Sequence, residues 1–243
     1  MKRFYLIAIV LAASTTGYFF RPYLWAAISP VAMKFTKSKT VAERLDQYGT
    51  TARARWKPLF DEAGVAYPPH GVTLVALKQE RMLEVYASDN SGKPRRIRTY
   101  KILAASGHAG PKLREGDGQV PEGIYAVESL NPNSRFHLAL HIGYPNSFDR
   151  EQATQDGRSQ LGGDIMIHGS SVSVGCLAMG DEAAEDLFVL TADTGLPNTK
   201  VIISPVDFRN GKSVPHADLL PKWTASLYSQ IRNELSILPA PSK

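Results

Sequence analysis

The sequence has one cysteine, Cys176, among its 243 residues. A lone thiol cannot form an internal disulfide, and the absence of a Cys-x-x-Cys pair argues against a thiol redox protein. The six histidines show no tight ligand spacing, so no metal site is expected. No organic cofactor and no internal repeat is expected either.

Charge of one sign is not concentrated enough to indicate a nucleic-acid partner. Lys and Arg number 28 against 23 Asp and Glu, a net charge of +5, and no aromatic-basic stripe accompanies it. A solvated basic face explains this balance most simply. The functional alternative is a carboxylate-rich extracellular substrate such as bacterial cell wall.

The N-terminus carries the pattern of an export segment. Lys2 and Arg3 precede an uncharged run over residues 4–20, and a second neutral stretch follows over 22–33. This pattern is typical of a signal peptide or an N-terminal inner-membrane anchor, with the remainder exported. In an oxidising compartment an unpaired cysteine is a free reactive thiol or an intermolecular link.

The hydrophobic pattern predicts an α+β, β-rich fold in four parts. Residues 1–33 form the signal or anchor, 34–69 a helical segment, 70–210 the strand-rich domain that carries Cys176, and 211–243 a C-terminal helical extension. Helical spacing of apolar residues covers 39–63, with Gly49 as a candidate break, and recurs over 182–191, with Asp181 as N-cap, and over 218–238. Period-two and short apolar runs predict strands over 72–77, 82–87, 96–105, 120–127, 136–142, 165–167 and 201–203. Residues 107–118 and 143–163 read as a mobile loop and a long irregular stretch.

Cys176 lies in a segment, residues 165–179, that supplies what cysteine chemistry needs. A thiol nucleophile requires a nearby base and a backbone that exposes the sulfur. His168 precedes it by eight residues, and the two side chains can meet if residues 165–168 and 172–176 are neighbouring strands. His168 could then take the thiol proton and form a thiolate–imidazolium pair. A buried, inert cysteine is the alternative.

Neighbouring residues offer the supporting groups. Ser173, Ser171 or a backbone carbonyl could fix the imidazole ring. Gly175 permits close approach of a substrate carbonyl, and the Cys176 N–H is a candidate oxyanion-hole donor. His137 and His141 share one face of the predicted strand 136–142, so they either line the pocket or form a structural pair.

The segment resembles the catalytic motif of the L,D-transpeptidase (YkuD-type) family, His-Gly…Ser-His-Gly-Cys-(Ile/Val)-Arg. Cys176 matches the nucleophile, His168 the general base, and Ser173 and Gly175 the Ser and Gly before the cysteine. Two positions depart from the motif, because Val174 replaces the second histidine and Ala178 replaces the arginine. The departures resemble a YafK-type branch, as do residues 63–69, 136–140 and 143–146.

The resemblance covers about residues 41–210 and implies a β-sandwich-like catalytic core in a periplasmic enzyme facing the cell wall. It implies a thioester between the cysteine and the L-centre carbonyl of diaminopimelate in a peptidoglycan stem peptide, resolved by an amine acceptor. One alternative is hydrolysis, including cleavage of the diaminopimelate–lysine link of a wall-anchored lipoprotein. A second is a wall-binding protein with an inactive site.

The candidate residues fall into two groups. The catalytic group is Cys176, His168 and Ser173. The substrate-binding and oxyanion group is Gly175, Gly169, Ser171, His137, Arg135, Tyr144 and Arg158.

Overall fold

The computed structural model describes residues 38–240. The predicted signal or anchor over residues 1–33 therefore lies outside the described residues. Among those that are described, no helix combines the length and the apolar character needed to cross a membrane.

The described chain alternates strands with a few helices. The helices are α1 Val41–Ala63, α2 Ser147–Gln155, α3 Asp181–Thr194 and α4 Thr224–Ser236. The strands are β1 Val72–Leu77, β2 Met82–Ser88, β3 Pro94–Lys101, β4 Ala104–Ala105, β5 Gly123–Ser134, β6 His137–Ile142, β7 Met166–His168, β8 Leu177–Ala178 and β9 Thr199–Ser204. The predicted α+β, β-rich class is confirmed.

The nine strands found within residues 38–240 form one mixed sheet in the order β3-β2-β1-β9-β5-β6-β7-β8-β4. Strand β5 joins the two halves of this sheet, because Gly123–Ala126 pairs with β9 and the rest of β5 pairs with β6. The first half is β3-β2-β1-β9 and the second is β6-β7-β8-β4. One hydrophobic core draws on both halves, with Leu74 and Val85 from the first and Leu140 and Ile167 from the second. The sandwich-like core is thus built from a single sheet whose halves share an inner face.

Helix α1 is continuous, so the predicted break at Gly49 is wrong. The helix begins at a capping box between Thr40 and Glu43 and ends at Gly64 in the left-handed conformation. Gly49 is buried, and an added Cβ there would lie 2.6 Å from the Arg53 guanidinium. A single glycine costs a helix about 1 kcal/mol, which the burial of Trp56 on the same helix outweighs.

Two further helices differ from the sequence prediction. The stretch 143–163 contains α2, which starts at a capping box between Asn146 and Asp149. A polar helix of this kind lacks the apolar period on which prediction depends. Helix α3 is preceded by Gly180, and Asp181 is its first residue rather than its N-cap.

The C-terminal helix α4 starts at Thr224, later than predicted, and covers the other face of the first half of the sheet. Leu227, Ile231 and Leu235 are buried there against Val75 and Ile202. The apolar residues of this helix therefore pack in a core.

Candidate active site

The sheet places His168 and Cys176 on one face. Strands β7 and β8 are parallel, with Ile167 opposite Leu177 and His168 opposite Ala178. Ile167 and Leu177 enter the core. Because side chains alternate along a strand, His168 and Cys176, which immediately precedes β8, occupy diagonal positions on the opposite face. The expected strand over 172–176 is absent, since those residues form a loop.

His168 is held as a neutral imidazole. It is 1% exposed, and its Nδ1 lies 2.6 Å from the Gly169 carbonyl oxygen. A carbonyl only accepts, so Nδ1 carries the proton and Nε2 presents a lone pair. That Nε2 is buried without a hydrogen-bond partner in the described structure. Burial lowers the pKa of His168 and so favours the neutral ring. The hydrogen bond to Gly169 has a smaller, opposite effect on this pKa.

Two neighbours fix this ring. Phe136 stacks on it with 4.7 Å between ring centroids. Gly169 leaves no space for a side chain, because a Cβ would lie 2.6 Å from Asp181 Oδ1 and 2.7 Å from the Phe136 oxygen. A side chain at position 169 would therefore collide with these groups, while the substrate-binding or oxyanion role of Gly169 stays a prediction.

Cys176 rests as a thiol. It is half-buried, and its Sγ donates to the Asp164 carbonyl oxygen at 3.7 Å. Burial raises the pKa of Cys176, the Met166 N–H lowers it, and the nearby Asp164 carboxylate raises it again, for a net rise. Since His168 Nε2 has no partner, the thiol is not hydrogen-bonded to the ring. The expected thiolate–imidazolium pair is not the resting state.

We expect alkylation of Cys176 by iodoacetamide to be slow at neutral pH and to rise with a midpoint above the ordinary thiol pKa. The thiolate is the reactive form, and the raised pKa of Cys176 keeps it scarce until alkaline pH. Mass spectrometry of the intact protein across a pH series measures the rate. A plateau already reached at pH 6 would mean a preformed ion pair and contradict the neutral resting state.

Ser173 closes the turn before the cysteine and does not contact the imidazole. Its hydroxyl accepts from the Cys176 N–H at 3.0 Å and donates to the Cys176 carbonyl at 2.7 Å. The Gly175 N–H, at a left-handed φ of 84°, donates to Ser106 Oγ at 2.6 Å. Both candidate oxyanion donors therefore bind serine hydroxyls. Three groups were predicted as alternatives for fixing the imidazole ring, and of these it is a backbone carbonyl, that of Gly169, that contacts the ring.

Two predicted pocket residues serve elsewhere in the fold. His137 Nε2 lies 3.0 Å from Glu185 Oε1 on α3, and its ring packs edge-on against Tyr48 of α1. Tyr144 is 4% exposed, and its hydroxyl donates to the Lys112 carbonyl at 3.3 Å. Neither side chain points into the space beside the thiol.

The remaining candidates are peripheral. Arg158 pairs with Asp156 at 2.8 Å and donates to the Leu113 carbonyl, so it braces a loop. Arg135 and Ser171 are exposed.

The sequence did not single out two residues that the structure brings to the site, Ser106 and Asp164. Ser106 follows β4 and binds the Gly175 N–H. Asp164, at a φ of 60°, holds the thiol with its carbonyl and places its carboxylate 3.5 Å from His141 Nε2. His141, predicted from the sequence to line the pocket or to form a structural pair, lies opposite Met166 in the sheet. Only strand register could have revealed that Ser106 and Asp164 lie here, because they come from separate loops.

We call residues 172–176, which end at the predicted nucleophile, the nucleophile loop. A cavity of about 280 Å³ lies beside this loop, with Asp164, Val174 and Gly175 in its wall. A larger cavity of about 760 Å³, bounded by Thr73, Lys200 and Ile237, includes none of the candidate residues.

Within residues 38–240 no group of three or more His, Cys, Asp or Glu side chains could hold a metal ion.

The part of the chain that carries this site matches known proteins in sequence. Residues 71–203 match the model of the YkuD family, the L,D-transpeptidase catalytic domain. The chain is 36% identical over 139 residues to "Putative L,D-transpeptidase YafK" of Escherichia coli strain K12, which covers 55% of this chain and 54% of that protein. A protein of the same name from Escherichia coli O157:H7 matches equally. The chain thus spans about half the length of these curated relatives.

Two solved structures are similar at lower levels. The helical cell shape determining protein Pgp2 of Campylobacter jejuni gives a TM-score of 0.46 and 23% identity, covering 65% of this chain and 56% of that one. Bd1075 of Bdellovibrio bacteriovorus gives 0.42 and 22%, covering 72% and 58%. The assignment rests on the sequence matches, which agree with the resemblance to the YafK-type branch. Because the family match covers more than half of the chain, the protein belongs to the L,D-transpeptidase (YkuD) family, whose members are cysteine-dependent enzymes.

Proposed function

We propose that this protein acts on peptidoglycan by forming a thioester between Cys176 and the L-centre carbonyl of diaminopimelate in a stem peptide. An amine acceptor then resolves the thioester, so the overall reaction is an acyl transfer. The observation that carries this proposal is the hydrogen bonding of His168. Its Nδ1 is committed to the Gly169 carbonyl and its Nε2 lone pair is buried and unpartnered, on the same sheet face as the only cysteine.

The proton transfers of this reaction use these two side chains, the acyl donor and the acceptor amine. Sγ attacks the carbonyl carbon while His168 Nε2 accepts the thiol proton. The tetrahedral intermediate collapses as the C–N bond breaks, and the imidazolium returns that proton to the leaving amine. The acceptor amine then attacks the thioester and gives its proton to His168, and the C–S bond breaks. The sulfur leaves as a thiolate that recovers its proton from the imidazolium.

The reaction requires three hydrogen bonds of the resting site to be considered, because substrate binding must break or exchange them. The thiol must leave the Asp164 carbonyl to reach the imidazole. An oxyanion that used the Cys176 or Gly175 N–H would have to replace Ser173 Oγ or Ser106 Oγ as the acceptor. Because a hydroxyl is a weaker acceptor than an oxyanion, this exchange favours the transition state over the ground state.

The proposed substrate sets the proposed compartment. Peptidoglycan lies outside the inner membrane, so the catalytic part acts in the periplasm, with the N-terminal segment as its signal or anchor. Wall-anchored lipoprotein is a further candidate partner, because its lysine amine would be the leaving group of the same thioester-forming step.

Products distinguish the possible outcomes. The full chain is incubated with purified diaminopimelate tetrapeptide muropeptides and, separately, with lipoprotein-linked wall, and Cys176→Ala serves as the blank. Cross-linked dimers or exchanged D-amino acids support acyl transfer to amines. Tripeptide or freed lipoprotein alone would replace the transferase proposal with hydrolysis. A muropeptide profile identical to the blank would favour the inactive wall-binding protein.

A further inference from the structure

A groove lies beside Ser106, which accepts the Gly175 N–H. It consists of two cavities of about 510 and 540 Å³ that share His108, Leu219 and Leu220 in their walls. One wall is the loop over residues 106–119 and the other is the segment over 215–221. We call this space the basic groove.

The cationic side chains that line the groove fall into two electrostatic settings. Its buried lysine, Lys78, is paired with Glu122 at 2.9 Å, and other charges at the groove are paired as well. Arg81 and Arg114 are different. Both are exposed, and neither has an ion pair among the described residues. One arginine lies in each of the two cavities.

The floor between the two arginines is apolar. Leu219 is 78% exposed, and Leu220 and Pro221 continue the surface. An exposed leucine flanked by unpaired guanidinium groups complements an extended chain that alternates methylene groups with carboxylates. A plain solvated basic face would not require this apolar strip.

The groove connects directly to the nucleophile. Ser106 lines it and accepts the Gly175 N–H, one residue before Cys176. The 106–119 loop is braced, since Ser106 Oγ donates to the Gly118 carbonyl at 2.6 Å and Gln119 Oε1 accepts from the His108 N–H at 3.1 Å. A ligand in the groove therefore contacts a fixed wall that ends at the thiol loop.

We propose that the basic groove binds the carboxylate-bearing stem peptide of the acyl donor, with Arg81 and Arg114 as specificity-determining residues. This rests on the proposed function, because it assigns part of the same substrate to a surface outside the Cys176–His168 pair. The guanidinium groups pair with carboxylates of the peptide, and the leucine strip contacts its aliphatic side chains.

The test reverses charge at the two arginines. Arg81→Glu and Arg114→Glu are each expected to raise KM for a diaminopimelate tetrapeptide muropeptide about three-fold, and the double variant about ten-fold, because exposed charge contacts are individually weak. The kcat should stay unchanged, since neither residue touches the thiol. Lys57→Glu on the exposed side of α1 is the control for each single variant, because it makes the same change in net charge.

A second measurement separates binding from chemistry. The muropeptide and its carboxyl-amidated form are titrated into Cys176→Ala proteins with and without the two arginine substitutions. With both arginines present, the amidated form should bind about as weakly as the free form binds when both are replaced. Equal affinity for both forms, or a KM in the double variant equal to that of Lys57→Glu, overturns the groove proposal. If the groove variants change affinity but no acyl-enzyme forms in the parent, the function proposal fails while the groove stands.

Discussion

Replacing His168 with alanine is expected to slow acylation of Cys176 by about 10²- to 10⁴-fold at neutral pH, the usual contribution of a positioned general base. The thiol pKa is raised by burial, so without a base almost no thiolate is present to attack. The imidazole is neutral and its Nε2 is free. A carbapenem-type acylating agent and intact-protein mass spectrometry give the rate.

The pH profile separates a base from a merely structural histidine. Acylation by the parent should fall only where the imidazole becomes protonated. Burial lowers the pKa of His168 from its ordinary 6.5, so the acid limb should lie below that value. In His168→Ala this limb disappears, and added imidazole should restore part of the rate.

Controls keep the result interpretable. Cys176→Ala should give no adduct, and His168→Ala should still be alkylated by iodoacetamide at about pH 10, where most thiols ionise without help. Normal alkaline alkylation shows that the variant is folded with an accessible sulfur. Acylation of His168→Ala within a factor of about two of the parent would remove His168 from the proposed mechanism.

Local sequence patterns predicted most of the strands, because their signals span only a few residues. The hairpin of β1 and β2 appears at the expected positions, as does the short apolar run at β7. Parallel pairing of β7 with β8 was not predictable in the same way. Strand β8 has only two residues, and its partner is set by hydrogen bonds across the sheet rather than by its own composition.

The role of each candidate residue was harder to predict than the positions of the strands. Tyr144 and His137 are residue types found at active sites, yet burial and the Glu185 contact commit them to the fold. Ser106 and Asp164 gave no sequence signal because each acts on the nucleophile loop through one hydrogen bond. Such contacts depend on register over long sequence separations, which a single sequence does not encode in any short pattern.

The structure shows the surroundings of Val174 and Ala178, the two residues that depart from the family motif. Ala178 is fully buried opposite His168, so an arginine there would have no space without displacing its neighbours. Val174 is 83% exposed and borders the small cavity beside Gly175. The site therefore has no room for a cation at position 178, which is consistent with carboxylate recognition by arginines in the basic groove.

Replacing Glu122 with alanine is expected to lower the free energy of unfolding by about 3–5 kcal/mol, the usual cost of leaving a buried charge without its partner. Glu122 is fully buried. Its Oε1 accepts from Lys78 Nζ at 2.9 Å and from the Gly110 N–H at 2.7 Å, and its Oε2 accepts from the Tyr228 hydroxyl at 2.7 Å. One carboxylate thus joins β1, the loop beside the nucleophile and α4. Urea unfolding followed by circular dichroism measures the change.

The loss should depend on pH in a direction fixed by Lys78. Burial lowers the pKa of Lys78, and Glu122 opposes that effect. Without Glu122 the folded-state pKa falls further below the unfolded value of about 10.4. The unfolded chain then binds more protons than the folded one, so stability of the variant rises with pH up to that value. Glu62→Ala, an exposed position on α1, should change stability by less than about 0.5 kcal/mol. A Glu122→Ala protein as stable as Glu62→Ala, or one equally destabilised at pH 7 and pH 10, would show that this buried pair does not brace the nucleophile's neighbouring loop.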